Sequence, residues 1–133
     1  LHTYLSVGEP GSTVTGLGGL LAQDAMADGA STALPNEPPT DAAMDLLVHA
    51  VGDRPVTVGS PARPRVTLTA LGFPDRVVWN PGAGHTLPDV PAGDEAGFVC
   101  VEPAVLEPIV LEPAQRWDGI MTLRSLAPTN PPA

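Results

Sequence analysis

Cysteine is almost absent from this chain: Cys100 is the single one, so no internal disulfide can form. That gives no sign of a disulfide-built secreted domain and favours a reducing, cytoplasmic setting. Basic residues are scarce too, six against fifteen acidic ones, for a formal charge of −9. Such a field repels a phosphate backbone, and no Lys/Arg cluster offsets it, so nucleic acid is excluded as a partner and anionic membrane surfaces are disfavoured. No segment reaches the roughly 18 to 20 apolar residues of a membrane helix. Aromatic residues make up 4%, too few for the aromatic platforms of a carbohydrate-binding module. No signal peptide is visible, and the opening at Leu1 predicts that the natural beginning lies upstream.

Seventeen prolines and fourteen glycines are abundant for 133 residues. Proline removes a backbone donor and breaks helix interiors, so the composition predicts an all-β fold of short strands and many turns. Hydrophobic residues at 43% allow one core, and the length fits one domain. Residues 1–7 alternate, with Leu1, Thr3, Leu5 and Val7 on one face and His2, Tyr4 and Ser6 on the other. Residues 8–11 read as a turn and 12–15 as a short strand. The glycine-rich 16–19 lacks the context of a phosphate loop, so 16–24 reads as a hairpin or bend. Residues 28–40 read as a polar loop, and 42–51, 56–58, 65–71 and 75–79 as strands. The stretch 82–97 is a loop; 98–101, 108–111 and 117–126 are further strands, and 127–133 is a proline-rich, frayed tail. About eight to ten short strands at this spacing predict a β-sandwich over 1–126.

Three stretches in order carry a resemblance: Leu1-His2-Thr3-Tyr4, Val78-Trp79-Asn80-Pro81, and Phe98-Val99-Cys100-Val101-Glu102-Pro103. Together they resemble the hexose-6-phosphate 1-epimerase branch of the aldose 1-epimerases (mutarotases). Val14-Thr15-Gly16-Leu17, the Leu111-to-Trp117 stretch and Thr122-Leu123 are similar to further segments of that family. The resemblance covers nearly the whole chain. It implies a galactose mutarotase-like supersandwich of which this chain is the C-terminal part, with roughly the first half absent.

Mutarotation opens a pyranose ring and recloses it on the other face of C1. A base must take the C1 hydroxyl proton and an acid must protonate the ring oxygen; no metal or other cofactor is needed. By matching motifs, the resemblance implies Glu102 as base and His2 as acid. It implies Asp45 as a contact to sugar hydroxyls, although Leu46 stands where the family usually has arginine. Trp79 and Asn80 are implied as substrate-binding, although Gly82 replaces the family's second tryptophan. The phosphate-binding arginines of the family lie mostly upstream, so phosphosugar preference rests on analogy. The partner expected is a sugar or sugar phosphate, together with the absent N-terminal half or another copy of the chain.

Competing readings are a sugar-binding β-sandwich without turnover and an inactive fragment. Cys100 reads as a buried small hydrophobe, since no basic group lies near it in sequence. His2, His49 and His85 match no zinc spacing, so no metal is expected. Burial of Glu102 near Cys100 and Phe98 would raise its pKa, which suits a base working near neutral pH. Half a sandwich would leave an open sheet edge and an uncovered apolar face.

Overall fold

The computed structural model describes residues 1–8, 11–34, 36–60 and 63–126; parts of the turn at 8–11 and all of the tail at 127–133 lie outside them. Ten strands follow in chain order: β1 (Tyr4–Ser6), β2 (Thr13–Thr15), β3 (Leu21–Asp24), β4 (Ser31–Ala33), β5 (Met44–Val48), β6 (Val56–Ser60), β7 (Arg63–Leu71), β8 (Asp75–Asn80), β9 (Phe98–Ala104) and β10 (Ile120–Ser125). One 3-10 turn, Asp94–Gly97, precedes β9. Among the described residues no helix is long and apolar enough to cross a membrane.

The strands form two antiparallel sheets, one of six strands in the order β1-β9-β8-β5-β3-β4 and one of four in the order β10-β7-β6-β2. The protein is a β-sandwich. Its core is aliphatic: Leu5, Ala22, Met44, Val48, Val78, Val99 and Val101 from the first sheet meet Val14, Val56, Val58, Leu68 and Ala70 from the second. Period-two alternation places these residues inward. The burial of β9 illustrates it, with Val99 and Val101 at 0% exposure while Phe98 and Glu102 on the other face are partly exposed. At one side of the sandwich the Thr3 hydroxyl donates to the Met121 sulfur at 3.5 Å, bringing the β1 edge to the β10 edge.

Four sequence readings are corrected. Residues 16–24 contain a strand, β3, which pairs with β4 on one side and β5 on the other. The polar loop at 28–40 holds β4 at the sheet edge. Both segments are too short and too polar to show a period of their own, and their partners create them. Residues 108–111 form no strand; Pro108 and Pro113 flank an exposed stretch and supply no N–H to a ladder. In the last segment only Ile120–Ser125 pairs, against β7.

Candidate functional site

The six-stranded sheet has an outer face, and its composition differs from the inner one. Register decides which side chains share it. Tyr4 and Trp79 both pair with Cys100, Val77 pairs with Glu102, and Asp45 pairs with Trp79. Alternation therefore puts His2, Tyr4, Trp79, Phe98, Cys100, Glu102 and Asp45 on one surface. Three of the chain's five Phe, Trp and Tyr residues gather there. Tyr4 stacks on His2 with centroids 4.9 Å apart, and Trp79 meets His2 edge-on at 5.7 Å. Phe98 lies 5.0 Å from Tyr4 and 6.3 Å from Trp79.

At the centre of this aromatic frame, His2 Nδ1 lies 3.3 Å from Glu102 Oε1. Residues 100 positions apart in sequence are thus joined across the β1–β9 ladder. The Glu102 side chain is 16% exposed and that of His2 54%. Burial pushes the Glu102 carboxyl above the usual carboxylate range, and the Asp45 charge adds to this, while His2 and the chain's amino group work against it. Cys100 is wholly buried, as the reading of it as a buried small hydrophobe expects, and its thiol is pushed up to about 12 by burial and by Glu102. Burial, then Cys100, Asp89 and Glu102, hold the Tyr4 phenol above its ordinary range.

The sequence reading grouped Asn80 with Trp79, and the structure separates them. Consecutive strand residues face opposite ways, so Asn80 points inward and is 1% exposed. Its Nδ2 donates to the carbonyls of Thr40, Glu95 and Phe98 at 3.0, 2.8 and 2.8 Å, and its Oδ1 accepts from Gly82 N at 2.7 Å. Asn80 ties loop ends together and presents no group to the outer face. The same turn accounts for Gly82: its φ is +69°, and a Cβ there would run into Ala43, so no tryptophan fits this turn.

Tyr4 stands between two clefts. One of about 470 Å³ runs along Ser6, Gly93, Asp94 and Phe98; a larger one of about 570 Å³ lies towards Arg63, Arg65 and Ser125. Neither His2 nor Glu102 lines them; the pair sits on the open face beside the smaller cleft. That cleft is bordered by the 82–97 loop, in which Glu95 Oε2 accepts from Gly93 N at 2.6 Å and lies 3.5 Å from His85 Nε2. His49 lies elsewhere, 3.9 Å from Asp75. Sequence reasoning passed over Tyr4 and Phe98 as site residues, although the alternation from His2 and Glu102 already placed them on this face.

No family model matches the chain. Over 62 residues it is 37% identical to the "Putative glucose-6-phosphate 1-epimerase" of Cenchrus ciliaris, a match that takes 44% of this chain and 19% of that protein. The crystal structure of HI1317 superposes with a TM-score of 0.75 at 16% sequence identity, covering 93% of this chain and 45% of that one. The chain thus spans less than half the length of either relative. The structural likeness shows the β-sandwich fold, and part of the sequence is similar to that of a protein named as an epimerase.

Proposed function

We propose that this chain carries the acid and base of an aldose or hexose-6-phosphate 1-epimerase, with Glu102 as base and His2 as acid. The observation that carries the reading is the 3.3 Å approach of His2 to a largely buried Glu102 inside an aromatic frame. The C1 hydroxyl and the ring oxygen are bonded to the same carbon, so two groups this close can reach both. Glu102 takes the hydroxyl proton, the C1–O5 bond breaks as the C1 carbonyl forms, and His2 gives its proton to O5. Rotation about C1–C2 and reversal of the two transfers close the ring as the other anomer and restore both residues. Each transfer by a positioned group contributes roughly 10²- to 10⁴-fold. The raised pKa of Glu102 matches its role, because a base works best when its pKa lies near the working pH.

In this reading Trp79 forms one wall for the sugar and Asp45 contacts its hydroxyls, a role supported by its pairing with Trp79 across the β5–β8 ladder. The substrate class is a hexose or its phosphate. We also propose that residues 1–126 belong to a larger sandwich. Leu71 and Ile120, paired across the adjacent strands β7 and β10 on the side away from the core, are 58% and 59% exposed, and such apolar surface invites cover.

Anomer exchange followed by NMR with glucose, galactose and glucose 6-phosphate tests the reading. Exchange faster than in buffer, lost in Glu102→Gln, is the expected result. A folded chain that binds sugar without accelerating exchange overturns catalysis by this chain and leaves a binding module.

A further inference from the structure

His2, Cys100 and Glu102 offer a nitrogen, a sulfur and a carboxylate oxygen that all lie within 4.8 Å of one another. Cys100 and Glu102 are two apart on β9, hence on one face, and His2 reaches them from the β1 side. We propose that these three residues bind a divalent cation of the zinc class, which takes up the reacting pair and so switches the site off. The switching rests on the reading of His2 and Glu102 as acid and base; the binding does not.

The geometry is close to what the ion requires. Tetrahedral ligands with bonds of about 2.1 Å are roughly 3.4 Å apart, and His2 Nδ1 and Glu102 Oε1 stand 3.3 Å apart. Only the sulfur has to draw in, and the half-exposed His2 has room to follow. A soft sulfur, an imidazole and one carboxylate suit zinc, cobalt or cadmium, whereas magnesium and calcium favour all-oxygen sets. Three protein ligands leave a fourth position for water or a sugar hydroxyl.

The electrostatics favour a dication as well. The chain carries −9, and Asp45 lies close enough for its charge to act on Glu102. On binding, the metal–sulfur bond replaces the S–H bond and the proton leaves to solvent, so affinity rises with pH. The sequence hides this site, since its histidine is joined to the C-x-E pair by strand register.

Cobalt titration of the full chain tests the proposal. A sulfur-to-cobalt charge-transfer band should saturate at one equivalent and be displaced by zinc. It should vanish in Cys100→Ala and need at least tenfold more cobalt in His2→Ala, whose half-exposed position leaves folding intact. No band from folded protein at saturating cobalt, or unchanged affinity in His2→Ala, overturns the site. Anomer exchange measured with chelator separates the two readings: a band without exchange sinks the epimerase reading alone, and exchange without a band sinks the metal site alone. Exchange that continues unchanged with zinc bound overturns the switching.

Discussion

Arg76 and Glu102 occupy adjoining rungs of the β8–β9 ladder, Arg76 opposite Pro103 and Val77 opposite Glu102, yet they face opposite sides of the sheet and live by different rules. Arg76 is fully buried, and its guanidinium donates to the carbonyls of Phe73, Asp75, Gly52 and Ala70. Asp75 beside it accepts from Ala50 N and Leu106 N. These charged groups spend their hydrogen bonds on the backbone, and what they hold together is the chain. Glu102 faces His2, and among the described residues no backbone donor meets its carboxylate. Engagement by several backbone carbonyls marks a structural polar cluster, whereas the proposed acid and base face each other. Asn80, with its amide spent on four backbone groups, belongs to the first kind.

Arg76→Leu leaves buried carbonyls and Asp75 without their partner, so chemical denaturation should show a loss of about 3–5 kcal/mol. A loss below about 1 kcal/mol would mean the inner cluster is not structural. Glu102→Gln should behave in the opposite way, abolishing exchange while leaving stability equal or higher. The sign follows from the raised pKa. The folded state holds the Glu102 proton more tightly than the unfolded one, so this contribution is full below the ordinary carboxylate pKa and is lost as pH rises through the raised value. Above that raised value the wild type has lost it, and glutamine never ionises. A clear drop in melting temperature at pH 7 would contradict this.

Asn80→Ala and Trp79→Ala form a sharper pair, being neighbours on one strand with opposite faces. Asn80→Ala should cost about 2 kcal/mol of stability by orphaning buried backbone groups, with sugar affinity per folded molecule unchanged. Trp79→Ala should cost less stability and weaken sugar binding by about tenfold, a difference of about 1.4 kcal/mol. Titration of each variant with sugar, normalised to the folded fraction, decides it. The smallest effect concerns the exposed Leu71–Ile120 surface: sedimentation should show concentration-dependent self-association, reduced in Ile120→Glu.

Much of this was legible in the sequence. Alternation within residues 1–7 and 98–102 put His2 with Tyr4 and Glu102 with Cys100, because a strand's period is a local property. Which faces meet is not local. The β1–β9 register that sets His2 against Glu102, and the β5–β8 register that brings Asp45 to Trp79, arise only when the sheet assembles. The same holds for β3 and β4, four and three residues long, which are strands because of their neighbours. Asn80 was misplaced because a motif was carried over as a unit, whereas the pleat divides it between two surfaces.

Site-resolved titration of the Glu102 side-chain carboxyl by carbon NMR tests whether the outer face holds a working base. The expected midpoint lies above the ordinary carboxylate range and coincides with the acid limb of the anomer-exchange rate. A Glu102 that titrates like a free carboxylate, with an exchange rate indifferent to it, would contradict the claim that the outer face holds a working base.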